Sequence, residues 1–64
     1  MKRMTYRNLM IIIHRIMAKG YTLTEAEPMA RHIFERYEKY PLGMSIEEQE
    51  RQIISKAEWE RMYR

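Results

Sequence analysis

Residues 45–63, SIEEQERQIISKAEWERMY, open in the same way twice: Ser45 is followed three positions on by Glu48, and Ser55 by Glu58. A serine hydroxyl that accepts from the backbone N–H three residues on, with a glutamate there reaching back, marks a helix start. Up to the second start, Ile46, Ile53, Ile54 and Ala57 share one face of a helix drawn at about 100° per residue. Trp59, Met62 and Tyr63 fall on nearly the opposite face. The stretch is therefore either a helix broken near Ser55 or a continuous one that turns its aromatic end away from the core.

Upstream, Pro41, Leu42, Gly43 and Met44 make a turn, and proline ends whatever helix precedes it. That preceding helix starts at a Thr24 and Glu27 capping box, and its apolar residues Ala26, Met29, Ala30, Ile33, Tyr37 and Tyr40 recur at helical spacing. Pro28 lies in its first or second turn, which leaves the start open by a few residues because proline fits only near a helix beginning. A first helix runs from a Thr5 cap to about Lys19, where Gly20 supplies the left-handed closing residue. Period-two alternation, internal repeats and linkers are absent. The expected fold is all-α, a single domain over residues 1–64 forming a small three-helix bundle or open helical array, with the third helix in question at Ser55. Its expected core is Leu9, Ile12, Ile13, Ile16, Met17, Ala26, Met29, Ile33, Tyr37, Ile46, Ile53 and Ala57, with Tyr21 and Leu23 stapling the first two helices.

A chain of 64 residues without cysteine has no disulfide or thiolate metal site to reinforce it. One core of this size supplies about 3–5 kcal/mol. No apolar run approaches the roughly 18 residues that cross a bilayer, and the basic and apolar first 20 residues lack a small-residue cleavage site. These features lead to the expectation of a cytoplasmic protein with no membrane partner.

Charge is unevenly placed. No acidic residue precedes Glu25, whereas Lys2, Arg3, Arg7, Arg15 and Lys19 surround the apolar run Leu9, Met10, Ile11, Ile12 and Ile13; the rest is nearly balanced, and the net charge is +3. On a helical wheel, Tyr6, Leu9, Met10, Ile12, Ile13, Ile16 and Met17 form a broad core side. The other side holds Arg7, Asn8, His14, Arg15 and Lys19, with Ile11 and Ala18 among them. An isoleucine between arginines suits docking on an acidic, partly apolar surface, where arginine gives bidentate contacts and the apolar residue a desolvated anchor. The plainer alternative is that Ile11 is one of the scattered apolar residues found on any surface, or is covered by the third helix or a neighbouring subunit.

Trp59, Met62 and Tyr63 are the second candidate surface, since aromatic residues and methionine are enriched at interfaces. The alternative is that the last turn folds back into the core. Of the seven methionines, Met10, Met17 and Met29 suit core filling, whereas Met44 and Met62 suit an adaptable surface. For catalysis the chain offers little. His14 and His32 are its two imidazoles, on different helices, with no Asp, no Cys and no His-Glu-x-x-His spacing. Gly20 and Gly43 are turn or cap residues, and Glu27 with Arg31 and Glu35 with Lys39 are four-residue pairs typical of a solvated helix face.

The expected function is a non-enzymatic interaction module, or a small regulator or inhibitor, with no catalytic, metal or cofactor residues. It binds another protein through Arg7, Ile11, His14, Arg15 and Lys19 of the first helix or through Trp59, Met62 and Tyr63. Nucleic-acid binding by the basic first helix is one alternative, and a homo-dimer or larger homo-oligomer is another. A helix-turn-helix made from the second and third helices is disfavoured, because Glu47, Glu48 and Glu50 would face the DNA backbone.

Overall fold

Hydroxyl groups start every helix. The computed structural model describes residues 3–63, and these contain α1 (Tyr6–Met17), α2 (Leu23–Lys39), α3 (Ile46–Arg51) and α4 (Lys56–Met62). The side-chain oxygens of Thr5, Thr22, Ser45 and Ser55 accept from the backbone N–H groups of Asn8 (3.1 Å), Glu25 (3.3 Å), Glu48 (3.1 Å) and Glu58 (3.2 Å). Each bond satisfies one of the orphan donors of a first helical turn.

The first helix begins at Thr5 as expected, and Gly20 closes it at φ +102°, a left-handed conformation that a Cβ opposes. A Cβ on Gly20 would also lie 3.1 Å from Cβ of Lys56, so this position admits little besides glycine. The second helix starts at Thr22, not at the expected Thr24. Two overlapping Thr-x-x-Glu boxes compete here, and the earlier one wins because Glu25 Oε1 accepts from both the backbone N–H (3.0 Å) and the hydroxyl (3.2 Å) of Thr22. The consequence is that Pro28 stands inside α2 and supplies no N–H to the Thr24 carbonyl; both residues are exposed, so water can take the missing bond.

Of the two readings of residues 45–63, the broken helix holds. α3 ends at Arg51 with Gln52 as its cap, and α4 begins afresh after Ser55. The gap is held from outside. The Lys19 ammonium donates to the carbonyls of Glu50 and Ile53, both at 2.7 Å, the Tyr21 hydroxyl donates to the Ile54 carbonyl at 2.9 Å, and the Lys56 N–H donates to the Lys19 carbonyl at 2.9 Å. The short α1–α2 connection thus takes up the carbonyls that a continuous helix would have used internally.

Leu9, Ile12, Ile13, Ile16, Tyr21, Ala26, Ala30, Ile33, Phe34 and Ile46 form the buried core, with Met10, Met29, Tyr37 and Ile53 packed partly against it. Five residues turn outward against expectation: Met17 and Ala57 are exposed rather than core, Tyr6 and Tyr40 point to solvent, and Leu23 is exposed where a staple was expected. The inner face of the third helix buries Gln49 and Glu50 beside Ile46. The fold is thin, with Cα extents of 33 × 22 × 14 Å, and a slab of that depth leaves one side of α1 and all of α4 at the surface.

Candidate functional site

α4 is a helix that buries none of its own residues, yet it is held in a defined place. The anchor is Lys56. Its ammonium pairs with Glu25 Oε2 at 2.5 Å and lies 5.5 Å from the centre of the Tyr21 ring and 5.2 Å from that of Trp59. A cation between two ring faces is attracted by their negative quadrupoles, so Lys56 joins α4, α2 and the α1–α2 connection at one point. Trp59 in turn rests against Tyr63, with ring centroids 5.2 Å apart and planes inclined at 33°.

Between these side chains lies an open groove of ≈ 670 Å³, walled by Tyr21, Met29, Ile53, Ile54, Trp59, Met62 and Tyr63, with Glu25, Gln52 and Lys56 supplying its polar groups. Trp59 is 44% exposed, which answers the question raised by the sequence: the aromatic end faces the groove and solvent and is not folded into the core. Trp59, Met62 and Tyr63 are therefore brought together, as expected. Sequence reasoning missed Tyr21, Glu25 and Lys56. The signals were the Thr22 box, which puts Glu25 in the first turn of α2, and the three-residue spacing of Lys56 and Trp59, which places them on one side of α4.

The charges in the groove are closed upon each other. Glu25 is held at about 2, well below its ordinary 4.5, chiefly by the hydrogen bond from the Lys56 ammonium and then by the Thr22 N–H, with partial burial opposing them. The same bond raises Lys56 above its usual 10.5. A carboxylate whose folded pKa is depressed contributes stability that is complete above its unfolded pKa and is lost as pH falls through the folded one. Wild-type protein is accordingly expected to melt higher than Glu25→Gln at neutral pH, and the gap to close as pH falls from 4.5 toward about 2. Thermal melts of the two proteins followed by circular dichroism check this; a gap of constant size down to the acid end would remove Glu25 from the anchor.

The basic face of α1 differs in part from its expected form. Arg7, Ile11, His14 and Arg15 are exposed together, with Ile11 at 37%, and Arg3 and Ala18 extend the strip at its ends. Lys19 does not belong to it, because its ammonium turns inward to the carbonyls of Glu50 and Ile53 and its side chain is only 21% exposed. Asn8 is half-buried, and its side-chain amide donates to the Arg3 carbonyl at 2.8 Å. Lys2 lies outside the described residues. Glu27 and Arg31 pair at 3.5 Å on the solvated face of α2, and His14 and His32 are both exposed on separate helices. Among the described residues, no helix is long and apolar enough to cross a membrane, and no three His, Cys, Asp or Glu side chains gather to hold a metal ion. No protein-family model, curated protein or solved structure matches this chain.

Proposed function

We propose that this chain is a non-enzymatic interaction module whose groove between α2 and α4 receives an apolar segment of a protein partner, as a small regulator or inhibitor would. One observation carries the reading. α4 contributes no buried residue to the fold, yet Lys56, Tyr21 and Glu25 fix it so that Trp59, Met62 and Tyr63 form one wall of an apolar groove. A rigid aromatic anchor with adaptable methionines, Met29 and Met62, at its sides has the composition of an interface centre. With Lys56 already neutralised by Glu25, the groove favours apolar surface over a charged ligand.

A photo-crosslinking amino acid placed at Met62 in the host cell tests this directly. A discrete crosslinked protein is expected, and it should disappear when Trp59→Ala is added but persist when Leu42→Glu is added in the exposed turn outside the groove. Light scattering of the free protein should give the mass of one chain. A dimer abolished by Trp59→Ala would assign the groove to self-association, and a crosslink indifferent to Trp59 would end the reading.

A further inference from the structure

We propose that the outward face of α1 is a second, independent binding surface, and that its ligand is the phosphate backbone of double-stranded nucleic acid. Arg3, Arg7, His14 and Arg15 are all exposed on this face or just before it, and no carboxylate occurs before Glu25. Arg7 and Arg15 form no ion pair with any described residue, so their guanidinium groups are free to take phosphate oxygens. At about 1.5 Å rise per residue, these two arginines stand about 12 Å apart along the helix axis. The major groove of B-DNA is about 12 Å wide, so the pair spans it from one phosphate strand toward the other. Ile11 lies midway between them and is 37% exposed, so with both arginines on phosphates it stays at the mouth of a groove about 8.5 Å deep.

Two considerations favour nucleic acid over an acidic protein. A duplex presents a charge about every 1.7 Å of axis, so arginines find partners in any register, whereas a protein would need carboxylates at matched positions. Charge is also divided along the chain, with five basic and no acidic residues before Glu25 and seven basic against nine acidic residues from Glu25 on, so the one-signed charge is confined to the α1 end.

The test uses the full chain and a fluorescein-labelled random-sequence duplex, followed by anisotropy. With three arginines on phosphates, affinity is expected to fall about 40-fold between 50 and 200 mM salt. The double variant Arg7→Glu and Arg15→Glu should abolish binding. Arg36→Glu with Arg51→Glu, which makes the same change in net charge elsewhere, should retain most of it, and Met62→Glu in the groove should leave it within about twofold. Circular dichroism establishes that each variant is folded, and Arg7→Gln with Arg15→Gln, at least tenfold weaker, supplies a second arm. No binding at 50 mM salt, or equal losses from the two glutamate pairs, overturns the proposal. Capture of poly-glutamate but not duplex by the same face likewise overturns it in favour of an acidic protein.

Discussion

Lys19→Met is expected to remove most of the stability of this protein, about 2–4 kcal/mol of the roughly 3–5 kcal/mol that one small core supplies. The side chain is 21% exposed, and its ammonium donates at 2.7 Å to the carbonyls of Glu50 and Ile53. The Glu50 carboxylate, 9% exposed, lies 3.9 Å from the same nitrogen. Methionine keeps most of the length and the apolar stem of lysine but donates nothing. It would leave two carbonyls without the ammonium and a nearly buried carboxylate without its nearby cation, in a fold where no buried side-chain polar atom among the described residues lacks a partner. Breaking a fully buried pair costs about 3–5 kcal/mol, and the partial exposure of Lys19 reduces that figure.

The urea midpoint, read by helical circular dichroism, checks this value. Glu50→Gln should cost less, since Lys19 keeps both carbonyls, and Glu50→Gln added to Lys19→Met should recover part of the loss by removing the stranded charge. A single Lys19→Met variant within about 0.5 kcal/mol of wild type would mean that the gap between α3 and α4 is held by other bonds.

Lys19 also shows where the sequence ceased to be legible. Helix ends were readable wherever the deciding chemistry was local: Thr5, Ser45 and Ser55 cap the N–H three residues on, Gly20 adopts positive φ, and Pro41 follows the end of α2. The choice between Thr22 and Thr24 was not readable, because both have a glutamate three positions on; the selected Glu25 also meets Lys56, a residue distant in sequence. By helical periodicity Lys19 belongs with Arg7 and Arg15. Only the tertiary approach of the Glu50 and Ile53 carbonyls shows that it serves the interior. Phe34 and Ala30 join the expected Ala26 and Ile33 in the α2 core, whereas Met29 and Tyr37, also expected there, pack only partly against it, since the start of α2 and the crossing of its neighbours determine which part of a broad apolar stripe faces inward. The aromatic wall of the groove was half legible. The change of face at Ser55 separated Trp59, Met62 and Tyr63 from the core, but the opposing wall comes from Tyr21 and Met29, which no local pattern connects to them.

Ile46→Ala has the second large expected effect, about 3 kcal/mol, within the range measured for truncating a fully buried isoleucine. Ile46 is 0% exposed, stands at the first position of α3 and is that helix's one buried apolar residue; Gln49 and Glu50 are its buried polar ones. α3 has only 6 residues and cannot be helical by propensity alone, so its place depends on Ile46 from the apolar side and Lys19 from the polar side. Both substitutions act on one short element and should not add: the double variant Lys19→Met with Ile46→Ala should cost less than the sum, because the second change acts on a helix already released. Ile46→Ala should also expose the region from residue 46 onward before α1 and α2 melt, so that hydrogen exchange in α3 and α4 accelerates while the α1 amides stay protected. Ile53→Ala provides the comparison, since Ile53 is only partly buried against the same core. Equal costs for the two isoleucines would remove Ile46 as the anchor of α3, and uniform acceleration of exchange through α1 would show that the four helices open as one unit.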